Sequence, residues 1–256
     1  MSTIFYTDDG KGLPIIFIHG FCETHQLWSD FINAFTKNFR VLTIDLPGFG
    51  ESPLPPEEFT IDSIGLMIIQ WLTSIGISKA IFVGHSLGGY VALSIANHNP
   101  GIVAGLCLFH STALADTEEK KANRSKVIGF VKKHGVVPYV KTYVPGLFSQ
   151  KNDPAIPKIC DIGFKTDPKT LILYSNAMKN RSERTGVLKK ISSPVIIVSG
   201  LKDSLIPVKE LKEQVTFSSN PVFILLKDSA HMGMIEEREI CADALLKFAI
   251  KCNSSI

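Results

Sequence analysis

A serine flanked by glycines is the residue of this sequence with the clearest chemical potential. Ser86 lies in the run GHSLG (84–88), between the apolar residues 80–83 and an Ala- and Leu-rich segment with helical character. A tight strand-to-helix turn of this kind lifts a serine hydroxyl clear of a sheet, because the glycines leave room around it. If a base removes its proton, the hydroxyl can attack a carbonyl carbon and form an acyl-enzyme.

A histidine and an acid occupy suitable loops later in the chain. His231 follows the apolar run 222–226 by a short loop, and Asp203 lies in a similar loop after the apolar run 195–199. Carboxyl ends of parallel strands meet at one edge of a sheet, so we predict that Ser86, His231 and Asp203 meet there as nucleophile, base and orienting acid. Capping a helix is the alternative role for Asp203, and Asp228 is a competing acid.

Alternating strands and helices must position these residues. Apolar runs predict strands at 3–6, 14–18, 41–44, 80–83, 104–109, 195–199 and 222–226, with a turn at 8–12. Helical spacing predicts helices at 28–35, 61–75, after Ser86, from about 208, and at the end of the chain; Thr60 or Asp62 would cap the second of these. This alternation indicates an α/β fold with a doubly wound, mostly parallel sheet and right-handed crossovers.

One segment interrupts the alternation. Between residues 113 and 190 no strand is predicted, whereas helices are predicted at 117–134, around 137–142 and at 169–178. We therefore predict a single domain of 256 residues, with a core of 1–112 and 191–256 and a helical cap of 113–190 inserted after the sixth strand. The insertion follows the carboxyl end of a strand, which is where such sheets bind ligands.

Composition and charge narrow the classes of partner. The chain is 45% hydrophobic and 20% charged, with a formal net charge of +3, so we predict no binding to nucleic acid. The segment 113–190 carries 16 Lys and Arg against 7 Asp and Glu, a formal +9, while the rest of the chain is at −6. An acidic partner is one explanation of the basic segment, and a solvated helical surface is the other.

Sorting signals and cysteine spacing point to a cytoplasmic protein. The first residues lack the basic start and apolar core of a signal peptide, and no apolar run approaches the length of a membrane span. We therefore predict no membrane association. The five cysteines are scattered and include no C-x-x-C pair, which predicts buried free thiols rather than a zinc site or a disulfide framework.

These motifs together resemble the α/β-hydrolase superfamily, and within it the small, capped serine esterase and lactonase group. The resemblance covers nearly the whole chain, through HGF (19–21), DLPGFGES (45–52), GHSLGG (84–89), the loop 200–207 with Asp203, and AHM (230–232). The order Ser, Asp, His is that of the superfamily. Two departures are Ala230, where a glycine usually precedes the histidine, and an abbreviated sheet before His19.

The resemblance implies further site residues. The backbone N–H groups of Phe21 and Leu87 would form an oxyanion hole, and no metal or cofactor would be required. Cys22 lies beside one of these donors, where its thiol would touch the substrate. Further candidate substrate-binding residues are a strand-end histidine, three aromatic residues of the insertion for which core packing is the alternative, and the residue after His231: His110, Phe130, Tyr139, Phe148 and Met232.

The expected activity is hydrolysis of a small carboxylic ester, thioester or lactone by a serine esterase, with Ser86, His231 and Asp203 as the catalytic triad. By resemblance to pimeloyl-ester esterases, the basic insertion would receive an acidic substrate or an acyl carrier protein. Two alternatives remain on the same fold: a C–C bond hydrolase or lyase of quinone or aromatic pathways, and a slow-turnover small-molecule receptor. Haloalkane dehalogenase and epoxide hydrolase chemistry is disfavoured, because those relatives need a carboxylate at the position of Ser86.

Overall fold

A single seven-stranded sheet organises the protein. The computed structural model describes residues 4–218 and 221–254. The strands are β1 (Tyr6–Gly10), β2 (Pro14–Ile18), β3 (Arg40–Ile44), β4 (Ala80–His85), β5 (Val103–Phe109), β6 (Val195–Gly200) and β7 (Pro221–Leu226). Their order across the sheet is β1-β3-β2-β4-β5-β6-β7, and only the β1–β3 pair is antiparallel. The predicted α/β class with a mostly parallel sheet is confirmed.

Ten α-helices accompany these strands in the described ranges. They are α1 (Ile61–Ser74), α2 (Leu87–His98), α3 (Glu118–His134), α4 (Val136–Tyr143), α5 (Ile156–Phe164), α6 (Pro168–Lys179), α7 (Thr185–Lys190), α8 (Val208–Val215), α9 (Gly233–Glu236) and α10 (Arg238–Asn253). Helix α1 begins as predicted: the Thr60 side chain accepts a hydrogen bond from the Ser63 N–H at 3.1 Å, and the Ser63 hydroxyl reciprocates.

The first strand lies later in the chain than predicted. Residues 4–6 were expected in a strand and 8–12 in a turn, but β1 continues to Gly10; residue 3 lies outside the described residues. The reason is pairing: β1 runs antiparallel to β3, and Asp8 forms a 2.6 Å ion pair with Arg40 of that strand. At a sheet edge a polar strand keeps its side chains in water while its backbone is hydrogen-bonded.

The predicted helix at 28–35 is wrong in type. Two 3₁₀ segments, His25–Trp28 and Ile32–Ala34, occupy this region instead. The apolar face itself is buried as expected, with Trp28 and Phe35 fully enclosed against the sheet residue Phe17. An apolar residue at every third or fourth position suits either kind of helix, so the pattern correctly predicted burial and not the hydrogen bonding.

The helical insertion leaves and rejoins the sheet between neighbouring strands. Helices α3 to α7 all lie between β5 and β6, which pair in parallel from Leu106 with Val195 onward. Five strands precede the insertion, so it follows the fifth strand and not the sixth. The sequence missed α5 and α7, each of which spans fewer than ten residues.

Two general features concern membrane spans and thiols. No helix in the part of the chain that the structure describes is long and apolar enough to span a membrane. All five cysteines are free and buried, as predicted, and burial raises the pKa of Cys241 and of Cys252 to about 12.

Candidate active site

Ser86 lies at the junction between β4 and α2 in a backbone conformation that few non-glycine residues adopt. Its φ is 49° and its ψ is −111°. The turn is tied to the neighbouring strand, since the Ser86 N–H donates to the Phe109 carbonyl at 2.9 Å and the Ser111 hydroxyl donates to the Ser86 carbonyl at 2.7 Å. Backbone strain of this kind persists only where the surroundings enforce it, and it concentrates at functional sites.

The glycines of the GHSLGG run (84–89) are required by close backbone contact. A Cβ on Gly88 would collide with the carbonyl of Ile18, and one on Gly84 would collide with the backbone of Gly88 and Gly89. The start of α2 therefore packs directly on the end of β2. This contact brings the loop after β2, which carries Phe21, beside Ser86.

His231 and Asp203 meet, as the sequence predicted. His231 Nδ1 lies 2.7 Å from Asp203 Oδ2, and both side chains are almost fully buried. The second oxygen of Asp203 accepts the N–H groups of Leu205 (2.9 Å) and Ile206 (3.1 Å), so the carboxylate orients the ring and caps its own loop. His231 Nε2 is buried and has no hydrogen-bond partner among the described residues, Ser86 included.

Electrostatics favour a charged Asp203 beside a basic His231. Burial alone would raise the pKa of Asp203, but His231 and His110 outweigh it and hold that pKa far below its usual range. Burial alone would lower the pKa of His231, and the charge and hydrogen bond of Asp203 raise it above the ordinary histidine value instead. An unpaired, basic Nε2 is suited to accept a proton.

His110 is a second histidine on the same carboxylate. His110 Nε2 accepts the Gly233 N–H at 3.1 Å, and His110 Nδ1 is approached by the Gly200 N–H at 3.3 Å and by Asp203 Oδ2 at 3.4 Å. Burial lowers the pKa of His110 to about 4, so the ring is neutral at pH 7. His110 therefore supports Asp203 rather than binding substrate directly.

A buried histidine–carboxylate pair lies beneath the serine. His85 Nδ1 is 2.8 Å from Glu23 Oε2, and His85 Nε2 is 3.0 Å from the His231 carbonyl oxygen. Both ring nitrogens of His85 thus face oxygen atoms of residues distant in the chain. Glu23 also accepts the Gly20 N–H at 2.6 Å. The pair thus joins the loop after β2, the Ser86 turn and the His231 loop.

Two backbone donors beside Ser86 are free. Neither the Phe21 N–H nor the Leu87 N–H donates a hydrogen bond to any acceptor in the described residues. Leu87 is the first residue of α2, where N–H groups lack partners within the helix and the helix dipole is positive. These groups can receive a developing oxyanion.

A cavity of about 510 Å³ opens between the sheet edge and the insertion. Ser86, Phe21 and two of the predicted substrate-binding residues, Phe130 and Tyr139, line it. The other four predicted substrate-binding residues do not, because each is buried within the protein: Cys22, His110, Phe148 and Met232. Burial also raises the pKa of the Cys22 thiol well above its ordinary value, which leaves it unreactive.

One cluster of described residues contains three side chains of types that bind metal ions. His110, Asp203 and His231 offer ligand atoms within 4.8 Å of one another. The same atoms are already joined by the 2.7 Å contact between His231 Nδ1 and Asp203 Oδ2, which needs the imidazole proton that a metal would displace. The arrangement therefore fits a hydrogen-bonded group better than a metal centre.

Sequence reasoning missed several supporting residues. Glu236 Oε2 accepts the Ala230 N–H at 2.9 Å and its Oε1 accepts the Ser149 N–H at 2.7 Å, fastening the His231 loop to the insertion. Glu23 and Arg124 were also missed, and both lie in or beside the site. The one available signal was Glu23, a charged residue close behind the HGF run.

Comparison with known proteins agrees with this architecture. The family model described as "alpha/beta hydrolase fold" matches residues 14–127. A solved esterase from Thermogutta terrifontis, described as malate bound, superposes with a TM-score of 0.92 at 27% identity, covering 98% of this chain and 94% of that one. The chain therefore has the α/β-hydrolase fold.

Two sequence relatives match almost the whole length of this chain. The 2-hydroxy-6-oxo-6-(2'-aminophenyl)hexa-2,4-dienoic acid hydrolase of Metapseudomonas resinovorans is 26% identical, covering 95% of this chain and 86% of that protein. The pimeloyl-[acyl-carrier protein] methyl ester esterase of Methylococcus capsulatus is 24% identical, covering 96% and 98%. Its homologues thus include esterases and other hydrolases, which supports hydrolase activity.

Proposed function

We propose that this α/β-hydrolase cleaves a small carboxylic ester, thioester or lactone through an acyl-enzyme on Ser86. The observation that carries the proposal is the buried, partnerless Nε2 of His231, whose other ring nitrogen is held by Asp203. An unpaired buried polar atom costs free energy, so such atoms are rare and are found where function requires them. The superposition on an esterase supports the ester as the substrate class.

The proposed reaction proceeds in two halves. His231 Nε2 takes the Ser86 proton as the hydroxyl attacks the carbonyl, and Asp203 stabilises the imidazolium that forms. The N–H groups of Phe21 and Leu87 receive the oxyanion, and His231 then returns the proton to the leaving group. Water, activated by the same ring, releases the acyl group. Closing the Ser86–His231 hydrogen bond is part of substrate binding, since such bonds are often long before substrate arrives.

The experiment that tests this proposal is hydrolysis of p-nitrophenyl butyrate by wild type and Ser86→Ala. Multiple turnovers are expected from wild type, with a loss of about a thousandfold or more in kcat for Ser86→Ala and for His231→Ala. Ser74→Ala, at the end of α1, is the matched control. A Ser86→Ala enzyme that retains wild-type kcat overturns the proposal.

A second candidate is C–C bond hydrolysis on the same residues. It is favoured by the relative named as a hydrolase of a 2-hydroxy-6-oxo-hexadienoic acid. Turnover of such a dienoate at a higher kcat/KM than any ester in a panel of chain lengths identifies this activity. A single slow turnover with a persistent adduct on Ser86 identifies the receptor alternative instead.

We also propose that an acidic substrate or an acyl carrier protein approaches over the basic insertion. Support comes from the formal +9 charge of residues 113–190 and from an esterase relative named for an acyl-carrier-protein ester. The description of the solved esterase as malate bound adds a small dicarboxylate to these acidic ligands. We also propose a cytoplasmic location, in keeping with the five free, buried thiols.

A further inference from the structure

Two arginines share one carboxylate on the wall of the Ser86 cavity. Asp116 is buried, and its Oδ1 accepts Arg181 Nη1 at 2.6 Å while its Oδ2 accepts Arg124 Nε at 3.2 Å. Arg181 is itself almost fully buried, lies over the Tyr90 ring at 4.0 Å, and donates to the Leu114 carbonyl at 2.9 Å. One carboxylate cannot neutralise two guanidinium groups, so a positive charge remains in excess.

The excess charge is presented by Arg124. Its Nε is held by Asp116, and its two Nη atoms make no hydrogen bond within the described residues. Its side chain is 25% exposed and lines the same cavity as Ser86. Burial works against this charge, but Tyr90 and Asp116 outweigh it and hold the pKa of Arg124 above its ordinary value. Anchoring through Nε orients the remaining donors, which suits a planar anion.

The other charged groups on this wall are differently placed. Lys120 forms a 3.1 Å ion pair with Glu210. Lys126 is exposed and has no ion pair among the described residues. Arg124 is therefore a cation of the cavity that is held in place by Asp116 while both of its Nη atoms stay free among the described residues. The remaining lining is mainly apolar or aromatic, including Val127, Phe130, Tyr139 and Met178.

We propose that Arg124 binds a carboxylate of the substrate, so that the natural substrate is an ester bearing a free carboxylate separated from the scissile carbonyl by an apolar stretch. The inference rests on the proposed function, because it takes Ser86 as the point of attack. A cavity of about 510 Å³ accommodates a molecule of this kind. The carboxylate belongs to the acyl or to the alcohol part, and two substrate pairs distinguish these sources.

The experiment compares kcat/KM within matched pairs. Monomethyl adipate against methyl hexanoate tests a carboxylate on the acyl side, and 4-butyryloxybutanoate against butyl butyrate tests one on the alcohol side. We expect wild type to prefer the anionic member of one pair by roughly ten- to a hundredfold, as charge-assisted hydrogen bonds allow. Arg124→Ala is expected to lose that preference, mainly through KM, and Arg124→Lys to keep part of it.

Controls separate a specific contact from general charge and from misfolding. Lys133→Ala removes the same charge from an exposed position of α3 away from the cavity, and it is expected to keep the preference. Thermal unfolding of each variant reports whether removing a partner of Asp116 disturbs the fold. Equal kcat/KM for both members of each pair, or a preference that survives in a folded Arg124→Ala, overturns the inference.

A binding measurement keeps the inference separate from the proposed function. Calorimetry with adipate needs no turnover and applies to wild type and Arg124→Ala alike. Weakening by about tenfold or more in the variant supports the carboxylate contact even if no ester is hydrolysed, in which case only the proposed function fails. Equal affinity for the two proteins rejects the contact whatever the esterase assay shows.

Discussion

Asp203 is the most heavily engaged side chain of the candidate site. Two backbone N–H groups hold one of its oxygens, while His231 Nδ1, at 2.7 Å, and His110 Nδ1, at 3.4 Å, face the other. Both rings lower the pKa of Asp203, against the effect of its burial. The basicity that Asp203 confers on His231 is therefore moderated by His110, a neutral ring that never needs to touch the substrate.

The pH profile of kcat/KM tests this arrangement. Activity requires neutral His231, so it falls as pH decreases through the His231 pKa, which Asp203 raises above the ordinary histidine value. In His110→Gln the ring that helps to lower the pKa of Asp203 is gone, so the carboxylate attracts the imidazolium more strongly. We therefore expect the acid limb to move to higher pH, with kcat reduced roughly tenfold at neutral pH and KM little changed.

The matched control for this prediction is His98→Gln. His98 lies at the exposed end of α2, 3.4 Å from Asp62 and outside the candidate site. The acid limb of the His98→Gln profile should coincide with that of wild type. An acid limb in His110→Gln that also coincides with wild type would show that His110 does not act through Asp203.

At the scale of elements, the β4–α2 turn depends on backbone contact rather than on side chains. Gly88 lies directly against the end of β2, and Gly84 lies against the first turn of α2. These contacts bring the free N–H of Leu87 and the loop with Phe21 to the same side of Ser86. The glycines of the GHSLG run are thus required by packing between two elements as well as by the local turn.

Replacing Gly88 with alanine tests the packing argument. The added methyl group meets the Ile18 carbonyl, so the elements must shift, at a cost of about 1–3 kcal/mol for overpacking. For a domain of this size we expect the Tm to fall by about 2–12 °C, with kcat reduced because the oxyanion donors move apart. Differential scanning calorimetry and the p-nitrophenyl butyrate assay measure the two effects.

Gly129→Ala provides the comparison. A Cβ at Gly129 meets nothing within 4 Å, and the residue lies within α3, where alanine is favoured over glycine by about 1 kcal/mol. Its Tm should stay the same or rise. If both variants lose similar stability, loss of glycine as such and not contact with β2 is responsible.

At the scale of the whole molecule, charge is divided between the two parts of the chain. Residues 113–190 have a formal charge of +9, whereas the rest has −6. Several of these basic residues are engaged locally, as in the ion pairs of Arg184 with Asp62 and of Lys158 with Asp30. Others lie exposed on α3, including Lys132 and Lys133. The insertion therefore carries a net positive charge, part of it on exposed side chains.

Ionic strength tests whether this surface attracts substrate. For an anionic ester, kcat/KM should fall as the salt concentration rises from about 0.01 to 1 M, because the Debye length shortens from about 30 to about 3 Å. For the matched neutral ester it should stay constant. Salt-independent values for both would limit any role of charge to direct contact.

The order of most elements was readable from the sequence, which also predicted Ser86, His231 and Asp203 as the candidate residues. Strands such as Pro14–Ile18 and Val195–Gly200 are local apolar runs, and each candidate residue follows its strand within a few positions. The errors concern short or edge elements. Strand β1 depends on pairing with β3, and the 3₁₀ segments near Trp28 share their apolar spacing with an α-helix.

Only the tertiary structure decided how these residues are supported and what lies opposite Ser86. Glu23 contacts His85, 62 positions away in the chain, and His110 contacts Asp203, 93 positions away. Arg124 keeps free donors because Arg181 already occupies one oxygen of Asp116. Such contacts depend on where distant segments pack, and no local pattern encodes them. The sequence by itself determined the candidate nucleophile, base and acid, because each follows its strand within a few positions. Long-range packing determined the pKa shifts of His231 and Asp203 and the charge of the cavity.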